Sequence, residues 1–488
     1  LSLSLSLIIL ITHKTMPSQH TRAVLSVLKA ERHRHRAVKN ETEESRLINL
    51  SKVLKRIQRL PEPKAAELDE DERSFEIVVE LGYLLESESN YVKHMACGIL
   101  VAVSQYLSSS FGEWEGYIGS LFVAVENPSW CCASILEVLC KVLKQVKEDS
   151  PPQFCQVFFS SFLQHSSRWD HLDKHSNFLR LLCSLVGQQS VSDGFVSSVA
   201  STFPRLISRF HAETVGYYAR HKLLMIMWRL SGQSGVDVWP LLQLLHGYYD
   251  DVLMAPIVNR KGVENEYLEE SPFGWSQSHL QRYAVMILLR VCLGRMKDQK
   301  KDGLDEIEKW GEQQMHGLEF SVGFVGLYLQ EDDVVFTVLL QVLTMHRLIT
   351  EWRGNGEKER VFLKGWFEMG LNPVRVFHVF LKGVNYDHQV IVDYLISKDS
   401  GMSCAEYLLK CLRIVCDSWS VFAGMSFEES TTGGSTPLDK ASLCLLSLHR
   451  SLHNLHRKTL FPYNPQPLLK RLRIFQSRCA LLSPTSST

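Results

Sequence analysis

The stretch that decides the fold is CCASILEVLCKVLKQV, at residues 131–146. Its apolar residues recur at intervals of three, four and seven positions, which places their side chains on one face of an α-helix. Similar stretches follow one another from residue 75 onward, among them YVKHMACGILVAVSQYL (91–107) and NFLRLLCSLVG (177–187). Strand-like alternation bounded by Asn-Gly turns is absent from the sequence. The pattern therefore predicts an all-α protein.

The predicted helices are spaced at a nearly regular interval. Polar breaks fall at ENPS (126–129), EDSPPQ (148–153) and QQSVSD (188–193), and Ser, Asp and Asn at such breaks favour helix capping. Between residues 75 and 236 a helix begins roughly every 20 residues, so a pair takes about 40, the period of HEAT and armadillo repeats. We expect an armadillo/HEAT-like α-solenoid of irregular helical repeats, with a small C-terminal helical unit.

Shifts in composition divide the chain into segments. The stretch SFEESTTGGSTP (426–437) is rich in Gly, Ser and Thr, which have little surface to bury and favour a flexible linker. The expected segments are a translated leader at 1–15, a charged N-terminal arm with a basic helix at 16–74, a helical array at 75–258, a loop at 259–272, a second part of the array at 273–425, the linker at 426–437, a C-terminal helical motif at 438–479 and a disordered tail at 480–488.

The opening LSLSLSLIILITHKT is interpreted as a translated leader rather than native protein, with Met16 as the start. No basic residue precedes its apolar run, as a secretory signal requires. The run is also shorter than the roughly 20 apolar residues that span a membrane. A repeated CT dinucleotide, by contrast, encodes alternating Leu and Ser. We therefore expect no association with a membrane.

The overall composition excludes a globally basic nucleic-acid binder, because 53 Lys and Arg balance 53 Asp and Glu. Local basic patches remain compatible with that balance. The 12 cysteines form no C-x-x-C pair and no zinc-ligand spacing. Most lie within apolar runs, which predicts buried free thiols in a reducing compartment.

Charge is segregated near the N-terminus. Residues 20–64 hold twelve basic residues against five acidic ones, and residues 65–90 hold nine acids against Arg73. Such neighbouring stretches predict pairing of opposite charges, or an arm that folds back. The basic stretch is either the solvated face of a helix, whose apolar positions are Leu47, Leu50, Leu54 and Ile57, or a site for nuclear import or an acidic partner.

No catalytic or cofactor-binding signature is present in the sequence. The stretches GQSG (232–235) and GNG (354–356) lack the strand that precedes a nucleophile elbow or a phosphate loop. His449, His453 and His456 share a helix face and have zinc-compatible spacing, but they border an apolar stripe, where hydrogen bonding to a neighbour is the more common role. We predict a protein that is not an enzyme, with no cofactor, no metal and no small-molecule substrate.

The C-terminal region has the clearest charge pattern. Residues 440–479 carry eight Lys or Arg and no acid, on two short amphipathic helices joined by a proline-rich corner. This is either a docking face for an acidic protein, RNA or DNA, or a terminal cap whose basic side is merely solvated. Aromatic residues for base stacking are few, so protein is favoured over nucleic acid as the partner. The candidate binding residues are Arg457, Lys458, Lys470, Arg471 and Arg473.

The same corner resembles the C-terminal motif of the Lines family. The matching residues are SLHRSLHNLHRKTLFPYNPQPLLKRL (447–472), and VIVDYLISKDSGMSCAEYLLKCLRIVCDSW (390–419) is similar to the stretch that precedes the motif in that family. The helical body from about residue 75 to 380 agrees in pattern, and the overall character is closer to plant members than to animal ones.

The corner also has a structural interpretation that does not depend on the family. Its prolines force a turn between the two helices, while Phe461 and Tyr463 are large enough to fold that turn onto the core. Asn464 is predicted to cap the next helix, with Pro465 at its first position. The structural motif is Leu460, Phe461, Pro462, Tyr463, Asn464 and Pro465, which is either a structural signature or part of a binding site.

The resemblance implies a non-enzymatic, armadillo-like scaffold that regulates developmental signalling or transcription through protein–protein contacts, in nucleus and cytoplasm. The expected partners are proteins, acidic or related to transcription. The alternative function is a direct RNA- or DNA-binding regulator that uses the basic C-terminal face.

Overall fold

The computed structural model describes residues 19–37, 42–60, 74–126, 132–146, 151–165, 176–188, 192–211, 216–257, 277–314, 318–329, 334–351, 367, 370–424 and 436–480. Each regular element bounded within these ranges is an α-helix, which confirms the predicted all-α fold class. The helices divide into two compact units, Leu1–Asp237 and Val238–Thr488. This division falls before the predicted loop at 259–272, so the last predicted helix of the first array belongs to the second unit.

The first unit contains ten described helices. Their bounds are α1 Gln19–Ala37, α2 Glu43–Gln58, α3 Ser74–Leu85, α4 Asn90–Leu107, α5 Phe111–Val125, α6 Cys132–Gln145, α7 Pro152–His165, α8 Ser176–Val186, α9 Asp193–His211 and α10 Tyr217–Leu230.

Alternate helices of the first unit lie side by side in two layers. Layer A consists of α2, α4, α6, α8 and α10, and layer B consists of α1, α3, α5, α7 and α9, each helix packing on the next of its layer. The helices of layer A begin at residues 43, 90, 132, 176 and 217, close to the interval of about 40 residues expected for a repeated pair. The helical repeat is therefore present, and its armadillo/HEAT-like subtype stays a prediction.

The apolar core of this unit lies between the two layers. Trp114 and Tyr117 on α5 are fully buried, and both direct their polar atoms to α4. The Trp114 indole donates to Ser104 Oγ at 3.0 Å, and the Tyr117 hydroxyl donates to the carbonyl of Leu100 at 2.9 Å. Large rings can be buried here because the donor of each finds an acceptor.

The charged N-terminal stretch takes part in this packing. Lys29 and Arg32 of α1 pair with Glu76 and Glu80 of α3 at 3.2 and 2.8 Å, which is the pairing of opposite charges that the sequence predicts. Such surface pairs contribute about 1 kcal/mol or less each. The position of α2 is set mainly by its buried face, formed by Leu50, Val53 and Ile57.

The second unit contains eleven helices within its described residues. Their bounds are α11 Trp239–Leu253, α12 Gln277–Lys297, α13 Asp302–Gln313, α14 Leu318–Tyr328, α15 Val335–Glu351, α16 Pro373–Gly383, α17 His388–Ile396, α18 Gly401–Asp417, α19 Trp419–Ala423, α20 Pro437–Arg457 and α21 Gln466–Ala480.

Helix α18 is the centre of the C-terminal half of this unit. It packs on α15, α16, α17, α19 and α21. Tyr407 of α18 is buried against an aromatic cluster, with ring centroids 6.0 Å from Phe336 and 5.8 Å from Phe380. Because α18 is covered on several sides, it forms the platform on which the C-terminal helices rest.

Several predicted segments lie outside the described residues. These are the leader at 1–15, the loop at 259–272, nearly all of the linker at 426–437 and all but the first residue of the tail at 480–488. Among the described helices, none has both the length and the apolar character needed to cross a membrane. Of the eleven cysteines in the described ranges, ten are buried and all are free thiols, as the sequence predicts.

His378 of α16 makes the stability of the second unit sensitive to pH. Its buried ring stacks on Phe422 at 4.1 Å, and its Nε2 donates to the Phe422 carbonyl at 3.2 Å. Burial lowers the pKa of His378 below its usual 6.5. The unfolded chain therefore binds this proton at a higher pH than the folded chain does, and the stability falls as the pH drops below about 6.5, by at most about 1.4 kcal/mol per pH unit.

We predict that His378→Gln, whose amide can still donate to Phe422, reduces this loss of stability. The measurement is the free energy of unfolding in urea from pH 7.5 to 5.5 for both proteins. Parallel curves for the variant and the wild type would show that the pKa of His378 is the same in the folded and the unfolded chain.

Candidate interaction surface

The C-terminal hairpin of α20 and α21 begins at a well-defined cap. The Thr436 hydroxyl accepts from the Asp439 amide at 3.1 Å, and the Asp439 carboxylate accepts from the Thr436 amide at 3.0 Å. This reciprocal arrangement is a capping box, which satisfies free amides at a helix start. The apolar faces of the two helices are buried and consist of Ala441, Cys444, Leu445, Leu448 and Leu452 on α20, and Leu468, Leu469, Leu472 and Phe475 on α21.

The turn between the two helices follows the predicted pattern closely. Asn464 Oδ1 accepts from the amide of Gln466 at 3.0 Å, so the Asn464 side chain satisfies the first amide of α21. The helix itself begins at Gln466, so Pro465 lies just before the first helical residue rather than on it. The Pro465 carbonyl accepts from the amide of Leu469 at 2.9 Å, the first bond of the helix.

Tyr463 ties this turn to the rest of the unit. Its hydroxyl lies 2.8 Å from the carbonyl oxygen of Leu395 and 3.0 Å from that of Gly401, so its single proton is shared between two acceptors. Leu395 is in the last turn of α17, where carbonyls lack a partner within the helix. Burial raises the pKa of the Tyr463 hydroxyl well above its usual range, so it remains a donor. The Phe461 ring packs edge-on against Tyr463, with centroids 4.7 Å apart.

The two acceptors of Tyr463 are close together because residue 401 is a glycine. A Cβ at Gly401 would lie 2.7 Å from the Leu395 carbonyl oxygen, closer than a side-chain carbon can approach. The end of α17 and the start of α18 therefore meet only with glycine at this position. The Tyr463 hydroxyl bonds across that junction.

The structure places the predicted basic residues on the outside of the hairpin, with one exception. Arg457, Lys458, Lys470 and Arg473 are exposed, whereas Arg471 is half-buried. Within the described part of the chain, none of the five forms a salt bridge, and the same holds for Lys440, Arg450 and Arg478.

Two of these residues, Lys470 and Arg473, follow one seam of the hairpin. His456 at the end of α20 meets Gln466 at the start of α21, with 2.9 Å between their side-chain nitrogens. Further along, Arg473 acts electrostatically on His449. Residues three or four apart share a helix face, so Gln466, Lys470 and Arg473 run alongside His456, His453 and His449. We call Arg457, Lys458, Lys470 and Arg473 the basic strip.

Arg471 belongs to a different side of the hairpin. Arg471 and Arg478, seven positions apart on α21, both act electrostatically on Cys416 of α18. The five predicted residues therefore do not form one surface, because Arg471 faces the seam with α18 while the basic strip follows α20.

The three histidines of α20 line the basic strip. The rings of His449 and His453 are nearly parallel, with centroids 6.4 Å apart. Burial, Arg473 and His453 together lower the pKa of His449. In the described residues no group of three or more His, Cys, Asp or Glu side chains has a metal-binding arrangement.

A second constellation, in the first unit, was not anticipated from the sequence. His20 Nδ1 lies 2.9 Å from Glu113 Oε1, and His20 Nε2 lies 3.3 Å from Ser109 Oγ. The order Ser–His–Glu resembles a catalytic triad. However, the Ser109 hydroxyl donates to the carbonyl of Tyr106 at 3.0 Å, and Glu113 also accepts from the amide and hydroxyl of Thr21. The cluster anchors the start of α1, and no local sequence pattern reveals it because its members lie far apart in the chain.

Comparison with known proteins extends the resemblance of the C-terminal region. Residues 302–425 match the model of the Lines N-terminus, and residues 441–477 match that of the Lines C-terminus. Both parts of the Lines family therefore have a counterpart within the second unit of this chain. Both stretches that carried the resemblance, 390–419 and 447–472, lie within the matched residues. The Lines segments comprise α13 to α19 and the α20–α21 hairpin, so the Tyr463 hydroxyl joins one segment to the other.

Two curated Lines proteins are similar to parts of this chain. Protein lines of Drosophila melanogaster is 27% identical over 158 residues, which are 32% of this chain and 17% of that protein. Protein Lines homolog 1 of Mus musculus is 27% identical over 100 residues, 20% of this chain and 13% of that protein. The similarity to these Lines proteins thus spans less than a fifth of either one.

We predict that the Tyr463 tether contributes measurably to stability. Tyr463→Phe should lower the free energy of unfolding by about 1 kcal/mol, because a backbone carbonyl loses its hydrogen bond. Gly401→Ala should cost more, about 1–3 kcal/mol, because the added carbon forces α17 and α18 apart. Urea unfolding of each variant measures both effects.

Gly294→Ala is the matched control for the glycine variant. Gly294 lies within α12 with no atom of another element within 4 Å of an added Cβ, so this change should leave the stability equal or raise it by up to about 1 kcal/mol. If Gly401→Ala behaved like the control, the close approach at the α17–α18 junction would not constrain the sequence.

Proposed function

We propose that this chain is a non-enzymatic helical-repeat scaffold of the Lines family that regulates developmental signalling or transcription through protein–protein contacts, in nucleus and cytoplasm. The similarity to Lines proteins supports a developmental regulator, and the stacked helices suit a scaffold. The observation that carries the proposal is the basic strip, whose exposed cations have no salt-bridge partner among the described residues.

The basic strip favours an acidic partner for electrostatic reasons. Neighbouring cations repel one another and create a positive potential that attracts anions. Carboxylates of a partner would relieve that repulsion, and the guanidinium groups of Arg457 and Arg473 can each donate two parallel hydrogen bonds to a carboxylate. The same face therefore supplies both attraction and orientation.

Exposed apolar side chains next to the Tyr463 tether favour a protein over a nucleic acid. Ile396 and Met402, which directly follow the two acceptors of Tyr463, are 46% and 70% exposed, and Leu460 at the end of the strip is 65% exposed. Apolar anchors beside charged residues are typical of protein interfaces.

The aromatic rings of the hairpin are engaged in the fold. Phe475 is buried, and Phe461 and Tyr463 pack on each other. Stacking of nucleic-acid bases requires accessible ring faces, so direct RNA or DNA binding is the less favoured function.

We predict that reversing two charges of the strip, Lys470→Glu with Arg473→Glu, removes a discrete set of proteins that co-purify with the full chain from cells. The set should be unaffected by nuclease and should be identified by mass spectrometry. Loss of association after nuclease treatment of the wild-type chain would instead indicate nucleic-acid binding.

A matched control separates the strip from a general change in charge. Arg347 of α15 and Arg413 of α18 are exposed and lie outside the strip, so Arg347→Glu with Arg413→Glu changes the net charge equally. This control should retain the captured proteins. If both double variants retain them, the hairpin is a terminal cap whose basic side is solvated, and the docking role is rejected.

A further inference from the structure

Layer A of the first unit contains a groove that the proposed function does not use. It has a volume of about 530 Å³, within the roughly 300–1,000 Å³ of ligand pockets. Three neighbouring helices, α2, α4 and α6, form it. The lining residues are Leu54, Gln58, Gly98, Val101, Ala102, Gln105, Lys141, Lys144 and Gln145.

The groove exists because the middle helix lacks side chains where its neighbours have them. Gly98 and Ala102, one helical turn apart on α4, form the floor. Apart from its own helix, no atom lies within 4 Å of the place where a Cβ of Gly98 would be. Leu54 on α2 and Lys141 on α6 belong to the two walls. The result is an apolar floor open to solvent between polar rims.

The charge of the groove is positive. Its two charged lining residues are Lys141 and Lys144. Lys141 is neutralised by Glu137 at 2.8 Å, whereas Lys144 is exposed and forms no salt bridge with any described residue. A ligand in the groove therefore meets, at the α6 rim, an ammonium group that no carboxylate of the described residues neutralises.

The positive charge continues along layer A beyond the groove. Arg180 of α8 acts electrostatically on Cys140, which lies one turn before Lys144 on α6. Arg180 in turn interacts electrostatically with Lys222 of α10, whose ammonium lies 5.4 Å from the centre of the Tyr218 ring. The cations Lys144, Arg180 and Lys222 thus belong to three consecutive helices of layer A, α6, α8 and α10.

We propose that this groove binds a short acidic segment of a partner protein, with an apolar side chain over Gly98 and Ala102 and with carboxylates toward Lys144 and Arg180. The three glutamine amides at the rim, of Gln58, Gln105 and Gln145, carry both donors and acceptors, which suits the backbone of a peptide. The groove lies in the first unit, whereas the basic strip lies in the second.

The experiment selects ligands for the full chain from a phage-displayed library of random peptides of about twelve residues. We expect the selected sequences to place Leu, Ile, Met or Phe next to Asp or Glu. Fluorescein-labelled copies of these peptides are then titrated by anisotropy against the wild type and the variants. Selection of peptides without this pattern overturns the proposal.

Gly98→Leu is the decisive variant, because its Cβ has open space around it and the rest of its side chain occupies the groove. It should weaken binding of the selected peptides about tenfold or more, since the burial of an apolar side chain is lost. Its melting temperature should match or exceed that of the wild type. Gly119→Leu is the control, because Gly119 lies in α5 of layer B with equally open space around its Cα.

The charged rim is tested in the same way. Lys144→Glu should weaken binding several-fold, whereas Lys52→Glu, an exposed change on α2 away from the groove, should not. The strip variant Lys470→Glu with Arg473→Glu should bind the peptides as the wild type does, so failure of the strip hypothesis leaves this test intact. If Gly98→Leu binds like the wild type, or if the strip variant abolishes binding, the groove is not the site.

Discussion

An amphipathic helix cannot bury its apolar face alone, and this constraint organises both units. In the first unit each helix meets the helix two positions along the chain, and most of them also pack on the opposite layer. A helix and the connection after it together take about 20 residues, and this regular length follows from that requirement. One face of a layer A helix is used in the core, and the groove lies on a face that remains open. Binding surface is therefore a by-product of the way in which the core is built.

In the second unit the same constraint makes the two Lines segments one folded body. The hairpin of α20 and α21 has an apolar face too small to form a core, so it rests on α17 and α18. The Tyr463 hydroxyl then satisfies carbonyls at the junction of those helices. The structural interpretation of the C-terminal motif thus concerns the residues of the turn, and the docking interpretation stays a proposal for the cations. Phe461, Tyr463 and Asn464 hold the turn in place, and the cations on either side of it point away from the core.

The helical periodicity was sufficient to predict the fold class, the buried cysteines and the cap at Asn464, because each depends on residues within a turn or two of one another. The acceptors of Tyr463 could not be predicted, because Leu395 is 68 positions away and nothing local marks a carbonyl as free. Arg471 was grouped with Lys470 and Arg473 from charge alone. On a helix, however, the side chains of residues two positions apart point in nearly opposite directions. Arg471 faces α18.

The groove on layer A could not be predicted from the sequence, for a related reason. Periodicity identifies the side chains that fill a core, whereas the groove depends on a side chain that Gly98 does not have. Likewise, the cluster of His20, Ser109 and Glu113 depends on contacts between helices that are far apart in the chain. Sequence pattern thus predicts well which residues are buried. It predicts less well which grooves and clusters the exposed faces of neighbouring helices form together.

Burial of the thiols determines when the cysteines of the chain can be oxidised. Burial raises the pKa of Cys140 to about 11 and that of Cys411 to about 12, so in the folded chain they remain protonated and inert toward oxidants. Each local opening returns such a thiol to water, where part of it ionises and becomes reactive. An oxidised sulfur is polar and does not fit back into an apolar core. Oxidation during a brief local opening therefore prevents the helix from packing back against its neighbours. The fraction of oxidised thiol increases with the number of openings.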